Sequence, residues 1–272
     1  MTEVRDLRED EGRSIGDLLS RAGFGPTVGG LIGFPRESPR GDVLVAERNG
    51  RAVGGVCCAS FGSTGWIGAL GVLPDSRRRG VGEALTRAAC ARLRERGAET
   101  VLLFATEMGR PLYERLGFEP EDTVTAWRGT AGTARADVTL RVLREEDRFA
   151  VRDIDRAATG EDRTPVLDAL APLSGLIAER RGEAAGWAVT SPWGAGVAIC
   201  ARDETAGVAL LAAAAGGPGS NTIVVPDRNP GAGDALGRWS FSPTAAGTRM
   251  RLGPAVAWEP TMQFGLFNLF WG

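Results

Sequence analysis

At 272 residues, with 43% apolar and 24% charged positions, the chain is long enough for two ordinary cores and has the composition of a globular protein. A formal charge of −2 excludes a global field that would gather nucleic acid or an anionic membrane, so a basic stretch acts only locally. The complete lack of histidine removes Ser-His-Asp and Cys-His catalysis and any histidine-ligated metal.

The opening "MTEVRDLRED" carries no apolar signal core, and the longest nearly apolar stretch, 207–217, is shorter than the roughly 18 residues a membrane span requires. Cys57, Cys58, Cys90 and Cys200 show no metal or CxxC spacing, and the neighbours Cys57 and Cys58 point to opposite faces of a strand. A reduced, cytoplasmic chain with no membrane partner is the expectation.

In chain order, an opening strand near Val4 precedes an amphipathic helix in "EDEGRSIGDLLSRAG", closed by Gly23. "DVLVAERNGRAVGGVCCAS" predicts two strands joined at Asn49-Gly50, a hairpin signal because both residues tolerate positive φ. "GWIGALGVLP" is a further strand stopped by Pro74. Val81, Leu85, Ala88, Ala89 and Leu93 then form a helical stripe ending at Gly97. "TVLLFAT" is a buried strand, "GRPLYERLG" a short helix and "TVTAWRG" a last strand. Strands and helices in this order predict an α+β fold, a mixed and mostly antiparallel sheet flanked by helices.

The second half echoes the first. "VRDLREDE" from Val4 returns as "LRVLREED" from Leu140, "ERNGRAVGG" as "ERRGEAAGW", and "LGFEP" as "WSFSP". Three echoes in one order predict two tandem copies of a single fold. The small and polar stretch 128–137 divides them, giving domains 1–130 and 138–272.

Between strand and helix stands "GVLPDSRRRGVGEAL". Free N–H groups and the positive dipole end at a helix start attract anions, and Gly80 and Gly82 carry no Cβ to hold a phosphate away. Arg77, Arg78 and Arg79 would add charge-assisted hydrogen bonds. The run lacks the GK[ST] ending of a Walker loop and the spacing of GxGxxG. On its own it reads equally as a pyrophosphate cradle or as a solvated basic turn.

Together with "GRPLYERLGFEP" some thirty residues later, the turn resembles the GNAT superfamily, the acyl-CoA-dependent N-acyltransferases, over about residues 3–129. The resemblance implies acetyl-CoA as cosubstrate and no metal. It implies a splayed strand from Gly68 to Leu73 whose Leu70, Gly71 and Val72 meet the pantetheine arm through the main chain. The turn from Arg77 through Arg78, Arg79, Gly80, Val81 and Gly82 to Glu83 would bind the pyrophosphate.

Tyr113, the only tyrosine in the chain, falls on the position where many family members keep a proton donor for the leaving thiolate. A phenol holds its proton at neutral pH and can give it to a developing thiolate; packing under the sheet is the other reading of this residue. Thr106 and Gly109 stand where the family often has asparagine and alanine, and the strand "TGWIGALGVL" lacks the family's usual glutamate. Glu107 is a nearby acid, either a base or a solvated loop residue.

In the second half "RDETAG" puts acid where the first has arginines, and Leu236 occupies the tyrosine position. This half resembles the degenerate C-terminal domains of two-domain bacterial acetyltransferases, on "ATGEDRTPVLDAL" and "GTRMRLGP". Asp162 and Arg163 are either substrate contacts or ordinary loop charges. "FGLFNLFWG" at 264–272 is a buried last strand, an aromatic-lined substrate pocket or an oligomer contact.

The expected activity is direct acetyl transfer from acetyl-CoA to a primary amine, on a small molecule rather than nucleic acid, by a monomer or homodimer. The alternative is a non-catalytic acyl-CoA-binding or sensor protein.

Overall fold

The computed structural model describes residues 2–133, 137–194, 196–216 and 221–272; positions 134–136 of the expected divider at 128–137 fall outside these. Two compact units form. Unit 1 is Met1–Glu119 with Met250–Pro254 and Phe270–Gly272, and unit 2 is Pro120–Arg249 with Ala255–Leu269.

Unit 1 begins with β1 (Glu3–Asp6) and α1 (Gly12–Leu19), whose chain continues through a π turn at Ser20–Phe24 into α2 (Val28–Leu31) and α3 (Gly33–Glu37). Strands β2 (Gly41–Arg48), β3 (Arg51–Phe61) and β4 (Thr64–Val72) follow. Then come α4 (Val81–Glu95), β5 (Thr100–Ala105) and α5 (Arg110–Arg115).

The strands run β1-β2-β3-β4-β5, antiparallel until β5, which joins β4 in parallel. Strand alternation sends Val43 and Val45 to the α1 face and Leu44 and Ala46 to the α4 face. Cys57 and Cys58 divide in the same way, and all four cysteines are free and buried. The Asn49-Gly50 turn has both residues at positive φ, 51° and 71°, as a tight hairpin requires. Leu85, Ala89 and Leu93 of α4 pack onto Val56, Cys58 and Ile67, and Met250 completes that core.

Unit 2 opens with β6 (Glu119–Gly129, in this unit from Pro120), β7 (Thr139–Val142), α6 (Arg148–Thr159) and α7 (Thr164–Ala169). Next are β8 (Gly175–Arg180), β9 (Glu183–Thr190), β10 (Val197–Ala201) and α8 (Glu204–Ala215). Strand β11 (Asn221–Pro226), α9 (Pro230–Arg238), β12 (Ser242–Leu252, in this unit to Arg249) and β13 (Gln263–Gly265) follow. From β7 to α9 the order of strands repeats that from β1 to α5, with two helices rather than three between the first and second strands. The strands lie β13-β10-β9-β8-β7, with β11 beside β6.

Arg163 of unit 2 is neither a solvated loop charge nor exposed. Its guanidinium donates to both carboxylate oxygens of Asp155, at 2.6 and 3.1 Å, with each side chain only 2% exposed. Cys200 and the ring of Phe267 lie against the pair. Asp162 stays near the surface beside Arg156.

Candidate active site

The site grows from the place where β4 loses a partner. Four register pairs join β4 to β5, from Thr64↔Thr100 to Ile67↔Leu103, and there the ladder stops although β4 runs on to Val72. On its other side β4 stays paired with β3 to the end, where the Leu73 N–H donates to Val53 O at 2.9 Å. The register passes from Cys57↔Gly68 to Gly55↔Gly71, so Ala69 and Leu70 oppose Val56 alone. This is a β-bulge, and Ala69 takes it at φ 49°. The β5-facing edge of Gly68–Val72 therefore offers main-chain groups to something other than a strand.

The turn that follows aims a second set of open amides at the same place. Arg78 (φ 56°) and Gly80 (φ 77°) reverse the chain so that α4 begins at Val81. The first bond of the helix is Ala84 N–H to Gly80 O, 3.0 Å, which leaves the amides of Val81, Gly82 and Glu83 ahead of it. A Cβ on Gly82 would lie 3.2 Å from Leu112 Cδ2, 3.8 Å from Leu70 Cδ2 and 4.0 Å from Val72 Cγ2. Gly82 thus faces the opening between the splayed strands, and any side chain there would fill it.

The three arginines separate. Arg77 turns inward, its Nε donating to Val72 O (3.1 Å) and its Nη2 to Ala22 O (2.7 Å), and so braces the turn against the end of α1. Arg78 and Arg79 are exposed beside the open amides. Glu83 is held by Arg87 one turn along α4, at 3.0 Å.

Tyr113 lies on α5, in the core beneath the sheet, edge-on to Phe118 at 5.7 Å. Gly109 lies beside it, where a Cβ would stand in ordinary contact, 3.4 Å from Tyr113 Cε2. Thr106 starts the helix, its Oγ1 and its carbonyl accepting from the Gly109 amide at 3.2 and 3.0 Å. Burial pushes the Tyr113 phenol well above its ordinary pKa. The thiols of unit 1 behave likewise: burial raises Cys90 to about 11 and Cys58 to about 12. Neither offers a thiolate nucleophile at neutral pH. Glu107 sits exposed in the loop before α5.

Sequence reasoning missed the bulge, the inward turn of Arg77 and Leu112 as part of the lining. The spacing Gly65-x-x-Gly68-x-x-Gly71 carried the signal for the first, because a step of three breaks the strand's period of two.

The corresponding place in unit 2 is built differently. Only Arg202 and Asp203 separate β10 from α8, and Asp203 caps the helix itself, accepting from the Ala206 amide at 2.9 Å. Arg180 pairs with the same carboxylate at 3.2 Å. The position beside β10 is taken by β13, antiparallel, and the next residue, Leu266, donates to Val224 O of β11 at 3.0 Å. The ring of Phe264 is seated on Gly207 of α8, within 2.4 Å of where a Cβ would be. The chain's own strand and ring fill what the first unit leaves open.

Known proteins agree with this geometry. A family profile described as Acetyltransferase (GNAT) domain matches residues 39–120, from β2 to the end of α5. The uncharacterized N-acetyltransferase YitH of Bacillus subtilis (strain 168) is 28% identical over 191 residues, 66% of this chain and 67% of that protein. The mycothiol acetyltransferase of Thermobispora bispora is 42% identical over 85 residues, 28% of this chain and 29% of its own length. In fold, a crystal structure from Pyrococcus horikoshii superposes with a TM-score of 0.84 at 22% identity, covering 100% of this chain and 96% of that one. Residues 39–120 thus match a GNAT acetyltransferase domain, and the chain is similar to N-acetyltransferases.

Proposed function

We propose that unit 1 binds acetyl-CoA between β4 and β5 and transfers its acetyl group directly to a primary amine of a small molecule, and that unit 2 is a second copy of the fold without this activity. One observation carries the reading. The unpaired edge of Gly68–Val72 and the open amides of Val81–Glu83 converge on an opening kept clear by Gly82.

Pyrophosphate would rest on those amides, with Arg78 and Arg79 adding charge from the exposed side. Arg77 contributes by holding the turn in place. Acetyl-CoA supplies the activated thioester. Main-chain N–H groups at the bulge orient and polarise its carbonyl, so proximity and fixed dipoles account for most of the acceleration. Tyr113, kept protonated by burial, gives its proton to the departing sulfur. With no histidine in the chain and no carboxylate on β4, the amine loses its proton to water before it reaches the site.

These assignments fix a kinetic signature. Tyr113→Phe lowers kcat by about a hundredfold with the KM for acetyl-CoA unchanged, the usual range for loss of a positioned proton donor. The rate rises with pH as the free amine accumulates, and no descending limb appears at mildly alkaline pH, because burial moves the phenol's titration upward. Thiol release from acetyl-CoA in the presence of amines measures both. An unaltered rate in the variant would leave Tyr113 as a packing residue.

The missing carboxylate on β4 favours one other reading, a module that binds acyl-CoA without turnover. Tight acetyl-CoA binding with no amine-dependent thiol release would establish it.

A further inference from the structure

The face of β4 turned away from α4 is closed by the chain itself, in two pieces. At Gly71 the cover is α1 and the turn after it. A Cβ there would stand 2.9 Å from both Leu19 Cδ2 and Ala22 Cβ, and 3.2 Å from Phe24 Cε2. At Gly68 the cover is main chain. A Cβ on Gly68 would lie 2.0 Å from Phe270 O and 2.5 Å from Phe270 Cα. The backbone of Phe270–Gly272, part of unit 1, is therefore a strap laid against the strand.

The strap is anchored at the very next residue. Trp271 is 1% exposed, packs on Phe34 of α3 at 5.3 Å and donates its Nε1–H to Leu31 O of α2 at 3.3 Å. Phe34 itself stacks on Phe61 of β3, with ring centroids 6.0 Å apart. The Phe270 ring meets Phe24 edge to face at 5.5 Å. Both short helices and the turn after α1 thus hold the strap, and the strap bears on β4.

It bears at the bulge. Gly68 directly precedes Ala69, whose φ of 49° is one that a residue with a side chain keeps only where its surroundings impose it. Ala69 is buried in the core cluster on which Phe24 and Phe270 pack. The bulge in turn sets where the main-chain groups of Gly68–Val72 point once β5 has left. The phosphate end of the site has a separate brace, the bonds from Arg77 to Val72 O and Ala22 O.

We infer that Trp271 is a positioning residue for acetyl transfer: by seating the Phe270 backbone on Gly68 it fixes the bulge, and with it the main-chain groups that orient the thioester carbonyl. The inference rests on the transferase reading above. It divides the work within the site. The amides for pyrophosphate belong to α4, which packs on the opposite face of β4, so loosening the strap disturbs the carbonyl more than it weakens binding.

The test reads the carbonyl directly, as the 13C resonance of acetyl-CoA labelled at the acetyl carbonyl, with affinity from calorimetry and folding from melting curves. Bound to the wild type, the resonance moves downfield of its position in free acetyl-CoA. Gly68→Ala and Trp271→Leu each lose at least about half of that displacement, while the Kd changes less than about threefold. Trp271→Phe, which keeps a ring on Phe34, retains most of it. Combining Gly68→Ala with Trp271→Leu costs no more than the larger single effect, because both break one contact. A Trp271→Leu chain that does not fold leaves the decision to Gly68→Ala, which lifts the same strap from its other side. An undisplaced resonance in the wild type, an unchanged one in folded Gly68→Ala or Trp271→Leu, additive losses, or a Kd that weakens in step with the displacement would overturn the inference. Failure of acetyl-CoA to bind the wild type would instead remove the transferase reading beneath it.

Discussion

Gly82→Glu is expected to weaken acetyl-CoA binding by at least about a hundredfold, some 2.7 kcal/mol, without unfolding the protein. Two effects act together. The new side chain enters the opening that Leu70, Val72 and Leu112 border, and its carboxylate faces the pyrophosphate with like charge. Gly82→Ala separates them. A Cβ there comes within 3.2 Å of the flexible end of Leu112, which can yield, so alanine costs much less than glutamate. Arg77→Ala behaves differently from either. It removes the links to Val72 O and Ala22 O, so affinity falls together with the thermal stability of the turn. Calorimetric titration with acetyl-CoA beside a melting curve distinguishes the three. If Gly82→Glu binds as the wild type does, the cofactor is not on these amides.

Asp155→Ala is expected to cost unit 2 about 3–5 kcal/mol, the usual penalty for leaving one half of a buried ion pair without its partner. Arg163 cannot reach water at 2% side-chain exposure, and its charge then keeps only the more distant buried carboxylate of Glu161, beside Cys200 and the Phe267 ring. Replacing both partners, as Asp155→Leu with Arg163→Met, restores part of the loss because neither charge of the pair remains, although Glu161 stays buried with Arg249. Urea unfolding followed by tryptophan fluorescence reads the difference, with Trp187 and Trp258 both in this unit. Equal stability of the single and double variants would show that the pair is not desolvated.

The strands and long helices of unit 1 were legible because local chemistry and tertiary burial agree there. Asn49-Gly50 can hardly be anything but a tight turn, and the Val81–Leu93 stripe faces one core. The short helices at Val28–Leu31 and Gly33–Glu37 were not legible: four and five residues give no period to read, and "VGGL" is a poor helix former held by packing. In the site, the open amides followed from Gly80 and Gly82. The inward turn of Arg77 did not, since three adjacent arginines look alike until a carbonyl on another element, Ala22 O, selects one. Arg163 shows the same limit, because its partner lies eight residues back on a different helix. The segment 264–272 was apolar enough to be buried, with a core strand the foremost of three readings. The fold divides it: Gln263–Gly265 becomes a strand of unit 2, while Phe270–Gly272 belongs to unit 1.

The number of acetyl-CoA molecules bound per chain is the most direct measurement to make. Isothermal titration of the wild type should give one site, because Asp203 caps α8 and β13 and Phe264 occupy the place beside β10. Two equivalent sites would contradict the silence of unit 2, and no binding would contradict the assignment of the opening between β4 and β5.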